Sequence, residues 1–380
     1  MIHKIEFKEN IVMQWLQSLT CLFFFTSLLI THTLWDRIGR ALPSCPVFML
    51  RFELAPYFYP LLLGLFSSCL LLSIVPKVSK YSIGGSLIIW LLFVVLDLNC
   101  FQPSFYFFAS ILALIWFEKL QLLNSYQLLF MIKCIVSATY FWGGLHKINP
   151  VYYETIYLWM IQSLSEVMPN GMARNTLLDV GFLTPYLEMM IGIGLLFHRT
   201  LKIAAFMAIL MHIFIMICLG PWGHNFNYII FPWNLLLIIF NASFFLVSTE
   251  NTVKWSFLKN PIISIMLLLN WFLPISNYWG ISDSYLSHDL YSGKAYFGFI
   301  VLPNESAKKL PFNIKKYLQV YDNNKSYINL TKWSLEELGI PIYPERRVLE
   351  YYKHWFEAYT YNPKLVELII YSQKNHETIH

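Results

Sequence analysis

The chain has 380 residues, of which 57% are hydrophobic, 18% aromatic and only 13% charged. Soluble domains carry about twice that charged fraction, so the composition points to an integral membrane protein. A formal net charge of +5 is spread too thinly to suggest nucleic acid, and its distribution among loops is the informative quantity. Six cysteines fall singly, without the close pairs that structural zinc or redox sites need. Only Cys45 and Cys100 share a predicted face, which leaves one disulfide conceivable.

Judged against about 20 residues per span, apolar segments fall at Ile11–Trp35, Tyr57–Val75, Ile83–Leu98, Phe105–Phe117, Tyr126–Leu145, Val180–Phe197, Leu201–Leu219, Tyr228–Val247 and Pro261–Tyr278. The third and fourth are short, so the expectation is eight or nine transmembrane helices. Lys4, Lys8, Lys77, Lys80, Lys119, Arg199, Lys202, Lys254 and Lys259 then share one side, and Arg37, Arg40, Arg51, Lys147 and Arg174 the other. The positive-inside rule places the N-terminus in the cytoplasm. Nine spans put the C-terminal hundred residues on the extracytoplasmic side. The first apolar run is too long for a signal peptide and reads as a retained helix.

Asn149 and Pro150 predict the cap and first turn of a new helix reaching Met168. Its polar face is Glu154, Thr155, Gln162, Ser165 and Glu166, opposite Tyr152, Ile156, Trp159 and Met160, the pattern of an interfacial helix. After Gly280 the composition turns polar: AYFGFIVL, KYLQVYD, SYINL and VELIIYS read as strands and Glu345–Ala358 as a helix. The expected architecture is an α-helical multi-pass membrane bundle over residues 1–280, followed by a small α+β extramembrane domain over 281–380. Sequons at Asn304, Asn324 and Asn329 matter only in a glycosylating pathway.

Lys147, Glu188 and His212 stand out as ionisable residues within apolar helices. Each carries a desolvation cost unless partnered, so together they suggest an interior polar site. A buried lysine is favoured in its neutral form, which is a usable base. The alternatives are a snorkelling Lys147, a Glu188 paired with Arg199, and His212 as a hydrogen-bonded core residue. In GPWGHNFNYIIFPWN, glycines and prolines break the backbone beside His224, Asn225, Asn227 and Asn234. That segment either roofs a binding site or is a tight connection capped by Asn225 or Asn227. No residue set specifies a metal, and serine-nucleophile and phosphate-loop signatures are absent.

The stretch YFWGGLHKINPVYYE resembles the motif around the catalytic lysine of the vitamin K-dependent gamma-carboxylase family, which shares the horizontally transferred transmembrane (HTTM) domain. The helices carrying Glu188 and His212 resemble the family's next two in order and spacing. SYLSHDLYSGK is similar to a segment opening its extramembrane part, so the resemblance runs from about Asp97 to Tyr351 through a few short motifs. It implies a lyase in which Lys147 deprotonates a reduced quinone of the vitamin K or menaquinone type. Oxygen addition then yields a strong base, and carbon dioxide adds to a glutamate carbanion. On this reading Glu188 and His212 shape the catalytic site, and the expected substrate or quinone pocket is His146, Trp142, His224, Asn225, Asn227 and Trp233. The chain is half the length of the animal enzyme and its extramembrane domain is much smaller, a departure from the part that grips a propeptide-bearing substrate; the expected substrate is a quinone or an exported peptide. The rival reading is a non-enzymatic maturation, immunity or small-molecule-binding factor in which Lys147, Glu188 and His212 form a structural network.

Overall fold

The structure, a computed structural model, describes residues 2–48, 54–169, 171–246, 255–371 and 376–379. Arg51, Val247 and Lys254, used above for topology and span limits, lie outside the described residues. Helices run in the order α1 (Ile2–Ile30), α2 (His32–Asp36), α3 (Phe58–Leu72), α4 (Ser79–Leu96), α5 (Pro103–Lys119), α6 (Ser125–His146), α7 (Tyr157–Val167), α8 (Met172–Asp179), α9 (Thr184–Leu196), α10 (Leu201–Leu219), α11 (Ile230–Leu246) and α12 (Pro261–Leu267). A π turn at Leu268–Phe272 and a tight 3-10 stretch to Trp279 extend α12.

Six helical stretches among the described residues are long and apolar enough to cross a membrane: Ile11–Ile30, Ser79–Leu96, Ser125–His146, Arg174–Leu196, Leu201–Leu219 and Pro261–Trp279. The protein is therefore suited to a lipid bilayer. Phe58–Leu72 and Ile230–Phe245 are apolar but shorter. The segment expected to reach Val75 ends at Leu72, ahead of Pro76, which cannot continue a helix. The segment expected to start at Val180 starts earlier instead, because α8 runs on through a 3-10 turn at Val180–Leu183 into α9.

The chain forms two compact units, Met1–Ser27 with Phe66–Ile88 and Pro103–Gly293, and Leu28–Leu65 with Ile89–Gln102 and Lys294–His380. In the first, α6 is central: 89% of its apolar window is buried, as a helix apolar on every face requires. It packs antiparallel to α9 through small residues. A methyl group at Gly144 would stand 2.4 Å from the Pro185 carbonyl oxygen, and one at Gly192 2.6 Å from the Phe141 nitrogen. Only glycine allows the two backbones this close. Phe24 joins α1 to the unit through rings at 5.2 Å from Phe66 and 5.3 Å from Phe108.

The second unit holds a five-stranded antiparallel sheet, ordered β2-β3-β1-β4-β5, from β1 (Phe297–Pro303), β2 (Gln319–Val320), β3 (Lys325–Asn329), β4 (Glu367–Tyr371) and β5 (His376–Ile379). The single turns α13 (Asn304–Ala307) and α14 (Phe312–Lys315) follow β1, α15 (Leu330–Leu338) follows β3, and α16 (Arg346–Glu357) precedes β4. Ile300 in β1 faces Ile328 on one side and Leu368 on the other, and all three are buried. The expected strands and the expected helix at 345–358 are all present, while α15 had no forecast. Asn329 starts α15 by accepting from Lys332 N at 3.0 Å, and Gly339 ends it at a φ of +70°. A buried ion pair, Arg40 Nη2 to Asp97 Oδ2 at 2.6 Å, also lies in this unit. All six cysteines are free thiols, Cys45 and Cys100 included.

Candidate functional site

Helix α6 begins with a capping box: Asn124 Oδ1 accepts from Gln127 N at 2.9 Å, and Gln127 Oε1 accepts from Asn124 N at 3.0 Å. It ends at Lys147, whose nitrogen donates back to the Gly144 carbonyl at 3.0 Å. A basic side chain is favoured at a helix C-terminus and an acidic one near an N-terminus. The antiparallel packing brings such a pair together, for Lys147 Nζ lies 2.5 Å from Glu188 Oε2, near the start of α9. Their side chains are only 11% and 13% exposed. The pairing of Glu188 with Arg199 and the snorkelling of Lys147 are thus both replaced by one contact.

Gly143 makes room for it. A methyl group there would lie 2.8 Å from Glu188 Oε1 and 3.9 Å from the His288 carbonyl oxygen, so this glycine, the carboxylate and the loop at His288 meet. Asn149 ties the same end of α6 down by donating to the carbonyls of His146 at 2.9 Å and Ser292 at 3.0 Å, while accepting from Tyr152 N at 2.9 Å. The chain then makes a π turn, Tyr152–Ile156, a form that recurs at functional sites. Asn149 is the expected cap, but the helix it starts is π before it becomes α7. Tyr152 closes this corner with a 2.8 Å hydrogen bond to Thr184.

His212 belongs to a second polar group. Asn234 Nδ2 donates to the Ile230 carbonyl at 2.7 Å, which turns Asn234 Oδ1 toward His212 Nδ1 at 2.6 Å. That nitrogen therefore carries the proton, leaving Nε2 to accept from the Tyr140 hydroxyl at 2.7 Å. The Tyr140 oxygen accepts in turn from Asn241 Nδ2 at 2.7 Å, and Asn241 Oδ1 is buried without a partner. Glu188 lies within electrostatic range of the Tyr140 and Tyr152 hydroxyls, and Lys147 within range of His212. Lys147, Glu188 and His212 thus share one neighbourhood, with Lys147 and Glu188 in direct contact.

Among the other expected pocket residues, His146 stacks on Tyr278 at 5.2 Å and lies 5.8 Å from the Trp142 ring, whose buried Nε1 has no partner. His224 stacks on Trp159 at 4.5 Å and hydrogen-bonds its carbonyl oxygen. Asn225 and Asn227 adopt left-handed backbone, at φ of 50° and 55°, as residues of a tight connection do. Trp233 packs 6.4 Å from Phe107, its Nε1 buried and unpaired. The hydrogen bonds and ring contacts of His224, Asn225 and Trp233 are made with these neighbours and not with the Lys147–Glu188 pair.

Lys133, Asn241 and His288 are further polar residues that sequence reasoning missed. Lys133 is buried in the middle of α6, and its signal, a lysine inside an apolar run, equals that of Lys147. Burial holds the His288 imidazole down at about 4, and its Nε2 lacks a hydrogen-bond partner. No group of three or more histidine, cysteine or acidic side chains suited to a metal occurs among the described residues. Comparison of the chain with protein-family models, with curated proteins and with solved structures returns no match.

Proposed function

We propose that this protein is a multi-pass membrane enzyme in which the Lys147–Glu188 pair is the proton-transfer centre of a carboxylase-like reaction. The single observation carrying this reading is the 2.5 Å contact of an amine with a carboxylate in a largely buried site. One proton is shared between the two groups. When it resides on Glu188 Oε2, Lys147 Nζ has a free electron pair and takes a proton from a substrate hydroxyl, becoming an ammonium ion beside the carboxylic acid. Return of one proton to the medium or the product restores the one-proton pair. His212, held by Asn234 and Tyr140, keeps the surroundings polar without adding charge.

A reduced quinone is the proposed co-substrate; what supports it is the aromatic cluster of Trp142, His146 and Tyr278 beside Lys147, with a buried Trp142 Nε1 that has no partner among the described residues and is able to donate to a quinone oxygen. Such a group, when bound, supplies the reducing equivalents that turn oxygen into a base strong enough to remove a carbon-bound proton. The substrate proposed is an exported peptide bearing glutamate. A cytoplasmic N-terminus, an extracytoplasmic C-terminal domain and eight or nine spans, with α3, α5 and α11 crossing as well, complete the proposal.

The test uses the full chain in membranes with reduced quinone, oxygen, labelled bicarbonate and a glutamate-containing peptide. Label should enter the peptide, and Lys147→Ala should abolish it. Neither label nor quinone epoxide from wild type and variant alike would end the carboxylase reading, and activity surviving in Lys147→Ala would end the base assignment. A second reading, a non-catalytic membrane factor, is favoured by the fact that the lysine already has an acidic partner joining two helix ends.

A further inference from the structure

Arg37 belongs to the second unit and stands just past the end of the apolar stretch Ile11–Ile30. Its backbone φ of 58° is left-handed, uncommon for a residue with a side chain, and such outliers collect at functional positions. The guanidinium lies over the Tyr59 ring, with Cζ 3.9 Å from the centroid. Its Nε and Nη2 are both buried, and neither has a hydrogen-bond partner among the described residues. These two N–H groups share one edge of the guanidinium and point the same way. They form the fork that takes two oxygens of a carboxylate or phosphate at once.

Nearby polar groups are already committed. Arg40 donates from Nε to the Leu42 carbonyl at 2.6 Å, from Nη1 to Leu34 at 3.3 Å and from Nη2 to Pro43 at 3.2 Å, and pairs with Asp97. Asp97 Oδ1 accepts from Cys45 N, Asn99 N and Asn99 Nδ2, and its Oδ2 faces Arg40. Asp36 turns Oδ1 back to Ile38 N at 3.0 Å. Two guanidinium groups therefore face one carboxylate, whose Oδ1 is taken by three N–H donors and whose Oδ2 is paired with Arg40. Burial pushes the Arg37 pKa down, Asp97 opposes this and Arg40 adds to it. A buried cation with an empty donor fork is costly unless an anion completes it.

We propose that Arg37 is the receptor for an oxyanion, a phosphate or carboxylate bound side-on to Nε and Nη2, with Tyr59 fixing the plane of the guanidinium. A phospholipid headgroup and a free phosphate both have this chemistry. The site is separate from the Lys147–Glu188 pair and does not depend on what that pair does.

The test is thermal unfolding of the full chain, delipidated in detergent, with inorganic phosphate against chloride at matched ionic strength, and in nanodiscs with and without phosphatidic acid. Wild type should be stabilised saturably by at least one of these anions. A response to phosphatidic acid alone identifies a lipid, and a response to inorganic phosphate identifies a soluble ligand. Arg37→Lys, which keeps the charge and loses the fork, should bind at least tenfold more weakly. Arg37→Met should lose the saturable response while melting no lower than wild type in oxyanion-free buffer, because it removes two buried N–H donors that have no partner among the described residues. If no oxyanion stabilises wild type over chloride, or if both variants respond as wild type does, the proposal fails.

Discussion

Lys147 at the C-terminal end of α6 and Glu188 near the N-terminal end of α9 make a 2.5 Å ion pair that stitches two antiparallel helix ends together. Its partners fall where the helix dipoles favour their charges, and Gly143 leaves the space that the carboxylate fills. Proton transfer and structural support are both open to such a pair, and they differ in what happens when one partner is removed.

Lys147→Met leaves a carboxylate with no counter-charge in a largely buried place. The expected loss of stability is about 3 kcal/mol, as for other broken buried pairs. Lys147→Met combined with Glu188→Leu should recover most of it, with a coupling of about 0.5–3 kcal/mol in a double-mutant cycle. Thermal unfolding of the four proteins in one detergent measures this. Additive losses would show that the pair contributes nothing to the fold as a pair.

Gly143 and Gly192 separate site from scaffold. Gly143→Ala brings a methyl group to 2.8 Å from a movable carboxylate oxygen, so the side chain shifts and the pair is disturbed with modest loss of stability. Gly192→Ala brings one to 2.6 Å from a backbone nitrogen, which cannot move without parting α6 from α9. Its cost should be about 1–3 kcal/mol, and the greater of the two. Unfolding temperatures reversed in order would contradict this account of the helix contact.

Much of this was legible in the sequence because apolar runs and turn residues report local structure. Leu201–Leu219 is bounded identically in both, and the helix expected at 345–358 is α16. Lys147, Glu188 and His212 announced themselves as ionisable groups in apolar surroundings. Their partners did not. The Glu188–Arg199 alternative rested on helical period alone, whereas the real partner comes from another helix through glycine packing that no periodicity encodes. Asn234 and Asn241 lie about one and three turns into an apolar helix as ordinary amides, and only the fold reveals that they fix His212 and Tyr140. The sheet unit likewise draws on Leu28–Leu65 and Ile89–Gln102, segments far from its strands in the chain.

Tyr140 is the hub of the second network, since it donates to His212 Nε2 and accepts from Asn241 Nδ2. Tyr140→Phe removes the hydroxyl, leaving His212 Nε2 buried and unmet and Asn241 Nδ2 with only the Leu237 carbonyl at 2.8 Å, at a cost of about 1–3 kcal/mol. Asn241→Leu removes an amide whose Oδ1 is already unpaired, so the loss should be smaller. Measured stabilities in the opposite order would mean that the Asn241 bond to the Leu237 carbonyl outweighs its bond to Tyr140.

His288 gives the pH dependence. Its imidazole has a pKa of about 4 in the folded protein against 6.5 unfolded, because burial disfavours the cation. The unfolded chain therefore binds more protons between those values, so stability is fully present above about pH 6.5 and falls as pH drops toward 4. At about 1.4 kcal/mol per pH unit, the whole window is worth on the order of 3 kcal/mol. His288→Gln keeps a polar side chain of similar length without the titration, and should make the decline shallower than in wild type while leaving the melting temperature at pH 7.5 within a few degrees of wild type. Melting curves from pH 7.5 to 5 for both proteins decide it: an equal decline in wild type and variant would place the acid sensitivity elsewhere.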